Sequence, residues 1–126
     1  DLLRFINIKR TEVPEYLSLL DLSIILIRPS ESKAGCSPTK LAELFAMNIP
    51  VVANKHVGDM DKLISLNKNC SSLVTIPLSK KEIITNLKEV ISLKLEYQKI
   101  RKNSLNFSLE TGIETYVSMY NNLSYD

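Results

Sequence analysis

Four consecutive residues, Ser37, Pro38, Thr39 and Lys40, stand where a loop leads into an amphipathic segment. A serine hydroxyl can accept a hydrogen bond from the first turn of a helix, and a proline in the next position already has a suitable φ. We therefore predict that Ser37 caps a helix that begins here. The unpaired N–H groups of its first turn, with two hydroxyls and a lysine ammonium, are suited to binding a diphosphate.

A carboxylate, Glu43, follows one helical turn after Thr39. It is expected to lie about 5 Å below the phosphate end, where it can accept hydrogen bonds from vicinal hydroxyls, as acidic residues do for a ribose. The motif thus predicts a diphosphate at residues 37–40 and a ribose at Glu43. The alternative is an ordinary helix start, in which Lys40 and Glu43 form only a surface ion pair worth about 0.2 to 0.5 kcal/mol.

Strand-like and helical segments alternate around this motif. Strands are predicted at residues 4–9, 22–28, 49–54 and 72–78, and helices at 11–21, 37–47, 58–69, 79–97 and 109–123. Thr11 and Ser79 are the predicted caps of the first and fourth helices. The nearly continuous apolar run at 22–28 is typical of a strand that is buried on both faces of a sheet.

This alternation predicts an α/β fold of the Rossmann-like three-layer α/β/α type, with a parallel sheet and a helical C-terminal tail. In such sheets ligands bind at the carboxyl ends of the strands, so the site is expected in the loops after Ile8, Arg28 and Asn54. The three glycines of the chain exclude a dinucleotide-binding GxGxxG loop and a Walker loop.

The bulk composition is that of a globular domain. The 126 residues, 44% of them apolar and 24% charged, are predicted to form one domain over 1–126. A net charge of +2 gives no reason to expect nucleic acid or anionic lipid as a partner. Cys36 and Cys70 form neither a disulfide framework nor a zinc motif, and no apolar run is long enough to span a membrane, so a cytoplasmic location is predicted. The abrupt start at Asp1 suggests a piece of a longer protein without a signal peptide.

Two long stretches, "VPEYLSLLDLSIILIRP" and "SPTKLAELFAMNIPVVANKHVGDMDKLI", keep the spacing of a known family. Residues 4–66 resemble the C-terminal, donor-binding half of a GT-B glycosyltransferase in the large family 4 (group 1) of retaining enzymes. Glu43 lies seven residues before Pro50, and Val57-Gly58-Asp59 stands at the following turn, as in the family pattern. The SPTK form is similar to a subset of bacterial surface-polysaccharide transferases.

The resemblance assigns roles to several of these residues. In the family, the glutamate that matches Glu43 holds the ribose, and the backbone just before it meets the diphosphate. The family pattern has a second glutamate near the donor sugar, and that position is Gly35 here. Glu31, in the same loop, is the candidate substitute, which makes Glu31, Gly35 and Cys36 a possible donor-sugar loop. The resemblance points to no catalytic residue.

The activity implied by the resemblance is transfer of a sugar from a nucleoside diphosphate sugar to a glycan or lipid-linked acceptor, without metal or cofactor. The family's N-terminal, acceptor-binding domain is missing, so the isolated chain is expected to be inactive. Membrane association is expected only through missing parts. The last helix resembles one that crosses onto that domain. Its Tyr116 and Tyr120 are predicted to pack in the core, with partial exposure as the alternative.

Three other interpretations are weaker. Cys36, His56 and Asp59 have the types of a cysteine hydrolase site, but no nucleophile elbow precedes the cysteine. Asp59 is interpreted as a helix cap rather than as a metal ligand. A GT-B-like nucleotide-sugar 2-epimerase half would need further acid and base residues. A noncatalytic α/β interaction module of the receiver type would need an acidic cluster at strand ends, and Asp21 lies at a strand's start.

Overall fold

The computed structural model describes residues 3–68, 70–93 and 98–123, which form six α-helices and three strands. The helices are α1 (Val13–Leu17), α2 (Thr39–Ala46), α3 (Met60–Ser65), α4 (Lys80–Ser92), α5 (Gln98–Ser104) and α6 (Leu109–Asn121). The strands are β1 (Ser23–Ile25), β2 (Val51–Asn54) and β3 (Ser71–Val74).

The strands form one parallel sheet in the order β1-β2-β3. Val51 of the central strand lies opposite Ser23 on one side and Ser71 on the other. The predicted strand at 49–54 is confirmed over Val51–Asn54, and all four residues of β2 are buried, as expected for a strand covered on both faces.

Two apolar clusters lie on opposite faces of this sheet. The main core, on one face, packs the sheet against α2, α3 and α5 and contains Leu41, Leu44, Phe45, Ile49, Val51, Ala53, Val57, Met60, Ile64, Cys70 and Ile100. The smaller core packs Val52 and Val74 against Val90 of α4. Helices therefore cover both faces of a parallel sheet, and the predicted Rossmann-like three-layer α/β/α arrangement is confirmed.

Asn54 is the last residue of β2, and its side chain is fully buried. Its Oδ1 accepts a hydrogen bond from the Ile27 N–H at 2.7 Å, and its Nδ2 donates to the Ile27 carbonyl at 2.9 Å. Nδ2 also donates to the Lys55 carbonyl at 3.0 Å. One amide thus continues the pairing of β1 with β2 beyond the last paired residues, and it fixes the point at which the chain leaves the sheet.

The predicted strand at residues 4–9 is wrong. These residues have no strand pairing, and Phe5 and Ile6 are 91% and 65% exposed. Alternation shows only that a segment can pair. A strand also needs a neighbouring edge, and β1, at the edge of the sheet, pairs with β2 alone.

The prediction of a doubly buried strand over 22–28 is also wrong. β1 has only three residues, and the side chains of Ile24 and Leu26 are 51% and 49% exposed. Ile24 pairs with Val52, which faces the smaller core, and α4 covers that face at β2 and β3. A central strand and an edge strand can have the same composition, since burial depends on the neighbours.

Of the two caps predicted for α1 and α4, one is confirmed. Ser79 caps α4, because its hydroxyl accepts the Glu82 N–H at 3.1 Å. Pro14 lies in the first turn of α1. Thr11 does not cap α1. A 3-10 turn, Arg10–Glu12, precedes the helix, and the Glu12 carboxylate accepts the Lys9 backbone N–H at 2.7 Å.

The C-terminal third contains one helix that was not predicted. α4 ends at Ser92, and the final part of the predicted 79–97 helix, residues 94–97, lies outside the described residues. α5 then packs against α2 and buries Ile100 completely.

The last helix, α6, begins at Leu109, as predicted, and is capped by Ser108, whose hydroxyl accepts the Thr111 N–H. It buries no residue, and Tyr116 and Tyr120 are 66% and 61% exposed. The prediction that they pack in the core is wrong. An amphipathic pattern identifies the apolar face of a helix, but another element must cover that face. Within the described residues, no helix is both long and apolar enough to cross a membrane.

Candidate functional site

A groove of about 1170 Å³ runs along β1, between α1 and the first turns of α2. It brings together the whole predicted diphosphate motif, residues 37–40, with Glu43 and Cys36. Neither Glu31 nor Gly35 lines it, so the groove includes only part of the possible donor-sugar loop. One wall of the groove is apolar, with Val13 and Leu17 among its residues.

The polar end of the groove is built on the start of α2. The helix begins at Thr39, the cap position is Pro38, and the Leu41 N–H is bonded to the Pro38 carbonyl at 2.9 Å. No hydrogen bond within the described residues uses the Thr39 or Lys40 N–H. Two backbone donors and the positive end of an eight-residue helix thus face the region in which a phosphate was predicted.

The prediction that Ser37 caps this helix is wrong. Its hydroxyl donates to Oδ2 of Asp59 at 2.8 Å, and no side chain caps α2. The cap position is Pro38, whose side chain has no acceptor, and Ser37 lies one residue too early. Because it donates to Asp59, Ser37 does not have its proton free for a ligand in this arrangement.

Three cations and one carboxylate line the groove. Arg10 comes from the turn before α1, Lys33 from a 3-10 turn at Glu31–Lys33, and Lys40 from the first turn of α2. Glu43 is the carboxylate. The groove therefore favours an anionic ligand at its polar end.

Arg10 and Lys33 were not identified from the sequence, although both lie in loops that the sequence analysis selected. Arg10 follows the segment that ends near Ile8, and Lys33 lies in the loop after Arg28. Their position after a predicted strand was the available signal. Nothing in their spacing distinguished them from the other basic residues of the chain.

The Glu43 side chain is exposed, while Leu41, Leu44 and Phe45 on the opposite side of α2 are buried. Within the part of the chain that the structure describes, no ion pair joins Glu43 to Lys40. The surface ion pair of the alternative interpretation is therefore absent. The carboxylate has acceptor positions for hydroxyl groups of a ligand.

Among the described residues, the side chains of the weaker hydrolase interpretation make no hydrogen bond with one another. The Cys36 thiol contacts the Ser32 carbonyl at 3.9 Å, and the Asp59 carboxylate is bonded to Ser37. His56 is exposed, and its backbone N–H donates to Asp61 at 2.8 Å. Asp59 stands at the cap position of α3, as predicted, but its side chain makes no capping bond.

Among the described residues, no group of three His, Cys, Asp or Glu side chains could hold a metal ion. Comparison of the whole chain with protein-family models, with curated proteins and with solved structures gave no match. The site is therefore defined by its own geometry.

Proposed function

We propose that this chain is the donor-binding domain of a cytoplasmic glycosyltransferase, which takes a nucleoside diphosphate sugar as substrate. The sugar would pass to a glycan or lipid-linked acceptor in surface-polysaccharide synthesis, with an acceptor-binding domain supplied by the rest of the protein. One observation carries the proposal. The free N–H groups of α2, three cations and a single carboxylate of the described residues meet in one groove that runs along β1.

The diphosphate is assigned to the start of α2. There the Thr39 and Lys40 N–H groups and the Lys40 ammonium are the donors, with Arg10 and Lys33 adding positive charge. Each charge-assisted hydrogen bond to a phosphate contributes about 1.5 to 3 kcal/mol. The same donors would stabilise the negative charge that develops on a departing diphosphate.

The ribose is assigned to Glu43, which lies one turn further along α2 on the groove side. The apolar wall, which includes Val13 and Leu17, is suited to a flat, weakly polar group such as a nucleobase. The groove thus has a carboxylate at one position and a positively charged helix start at another. A nucleoside diphosphate has the complementary groups, because its ribose hydroxyls can donate to the carboxylate and its phosphates can bind at the helix start.

The test is an NMR titration of the 126-residue chain with UDP, GDP and ADP, which follows the backbone amides of Thr39 and Lys40. We expect saturable shifts with a dissociation constant near 1 mM, that is about 4 kcal/mol. Lys40→Gln should weaken binding about tenfold, the loss of one charge-assisted contact. Lys62→Gln, an exposed lysine of α3 outside the groove, is the matched control. No shift at about 10 mM for all three nucleotides, ten times the expected constant, contradicts the proposal.

The ribose assignment has its own test. The wild-type chain should bind UDP more tightly than 2′-deoxy-UDP, because the deoxy sugar lacks one of the two vicinal hydroxyls that donate hydrogen bonds to Glu43. Glu43→Ala should abolish this preference, while Glu89→Ala, an exposed carboxylate of α4, should keep it. An unchanged preference in Glu43→Ala excludes Glu43 as the ribose ligand.

A further inference from the structure

The loop that leads into α2, residues 36–38 (the lead-in loop), is hydrogen-bonded to the turn that begins α3. The Ser37 hydroxyl donates to Asp59 at 2.8 Å, and the Asp59 N–H donates to the Cys36 carbonyl at 3.4 Å. The two hydrogen-bonded side chains are 22 residues apart in the sequence. This lead-in loop is therefore positioned by a contact between two distant parts of the chain.

Gly58 brings the two segments into direct contact. Its φ is +49°, and a Cβ at this position would lie 1.6 Å from the Cys36 carbonyl oxygen and 2.7 Å from the carbonyl carbon. A side chain cannot fit there unless the lead-in loop moves. At Gly35 and Gly112, in contrast, no atom of the described residues beyond the adjoining backbone lies within 4 Å of such a Cβ.

The turn is itself rigidly anchored, because Val57 and Met60, on either side of Gly58 and Asp59, are completely buried in the main core. Neither Gly58 nor Asp59 lines the groove. Both residues therefore contact the groove only through the lead-in loop. The second carboxylate oxygen of Asp59, Oδ1, is buried and accepts no hydrogen bond from any of the residues that the structure describes.

We infer that Asp59 is a positioning residue for the anion-binding end of the groove, and that Gly58 permits the close approach that this requires. Through Ser37, Asp59 sets the direction in which the first turn of α2 presents its N–H groups. This inference rests on the proposed function, because a nucleoside diphosphate is the ligand whose binding reports that direction. It also assigns Ser37 a role in orientation instead of contact with the phosphate.

A positioning role and a purely electrostatic role of Asp59 predict different effects of substitution on anion binding. A carboxylate behind an anion site opposes anion binding, so its removal alone should strengthen binding. Loss of the positioning contact should weaken it. Asp59→Asn keeps an oxygen that accepts from Ser37 and removes the charge, whereas Asp59→Ala removes both. The two substitutions should therefore have opposite effects.

The experiment is a double-mutant cycle on UDP affinity with the variants Ser37→Ala, Asp59→Ala and both together. Ser37→Ala should weaken binding about tenfold, Asp59→Ala should weaken it by less because it also removes the opposing charge, and the double variant should be no weaker than Ser37→Ala, because both substitutions remove the same contact. Asp59→Asn should bind UDP at least as tightly as wild type does. Asp61→Ala, which removes a carboxylate of the same turn that bonds only His56 among the described groups, is the matched control and should leave the affinity unchanged.

A ligand-free measurement separates this inference from the proposed function. The amide shifts of Thr39, Lys40 and Leu41 should change in Asp59→Ala and Ser37→Ala, but not in Asp59→Asn or Asp61→Ala. If wild type binds no nucleotide, the proposed function fails while these shifts still test the positioning contact. Unchanged shifts in Ser37→Ala, or strictly additive losses in the cycle, overturn the inference. Ser37 is exposed, so its variant remains informative even if Asp59→Ala does not fold.

Discussion

Two amphipathic helices of this chain, α2 and α6, have very different surroundings. α2 has eight residues, and it completely buries Leu41 and Phe45 against the sheet and α5. α6 has thirteen residues and an apolar stripe, yet it buries none, and Leu109 is 74% exposed. An apolar stripe stabilises a fold only where the sheet or another helix presents a matching surface.

The two regions are therefore expected to contribute differently to the stability of the chain. The region around β2 has side chains packed from both faces of the sheet, so a loss there affects the whole fold. α6 packs mainly on the preceding 3-10 turn, Leu105–Phe107, and changes there should remain local.

The largest expected effect is that of Phe45→Ala. Its side chain is fully buried in the main core, and its removal should lower the free energy of unfolding by about 3 to 5 kcal/mol. Tyr116→Ala, on the exposed face of α6, should change it by less than about 0.5 kcal/mol. Urea denaturation followed by circular dichroism measures both. Equal losses would show that α6 is as firmly packed as α2.

Gly58→Ala should be the next most damaging change. It forces a Cβ toward the Cys36 carbonyl and places alanine at a φ of +49°, which together should lower the free energy of unfolding by about 2 to 3 kcal/mol. Gly35→Ala, in open space, is the control and should have little effect. Thermal unfolding of the three proteins measures the difference, and an unchanged midpoint for Gly58→Ala would contradict the close approach.

Gly112→Ala should have the opposite sign. Gly112 lies within α6 and nothing surrounds its Cβ position, so alanine should stabilise the helix by about 0.5 to 1 kcal/mol. Because α6 is weakly coupled to the core, we expect slower hydrogen exchange at its own amides and little change at those of β2. Equal slowing in both regions would show that α6 and the core unfold together.

The smallest effect concerns Glu110, in the first turn of α6. Its backbone N–H, and then the Ser108 hydroxyl, hydrogen bond to the carboxylate and hold its pKa below the usual value. Because the pKa is lower in the folded state, the ionised carboxylate stabilises the fold. This stabilisation is present above the unfolded pKa and is lost as the pH falls through the folded pKa. A ¹³C titration of the carboxyl groups should show Glu110 with a lower pKa in wild type than in Ser108→Ala.

The parts of the fold that could be predicted are those whose signal is local. Residues 49–54 read as a buried strand, and they form the centre of the sheet. The failed strand at 4–9 and the exposed Tyr116 depend on whether a distant element pairs with or covers them. Periodicity contains no such information, because it describes a segment without its neighbours.

In the candidate site, too, local features could be predicted from the sequence and contacts between distant segments could not. Residues 37–40 and Glu43 lie within two turns of one helix, so their proximity could be predicted from spacing. Arg10 and Lys33 reach the same groove from two other loops, and Asp59 bonds Ser37 across 22 residues. These contacts required the fold before they could be recognised.

Asn54 gives the chain a specific sensitivity to chemical ageing. Its amide both accepts from and donates to Ile27, and it donates to Lys55 as well. Hydrolysis to aspartate would keep the acceptor but leave both carbonyls without a donor, and would put a carboxylate in a fully buried position. The buried position shields the amide from water while the chain is folded. Storage conditions that favour unfolding should therefore promote this hydrolysis, and the refolded chain would lack the hydrogen bond that the end of β2 donates to the Ile27 carbonyl.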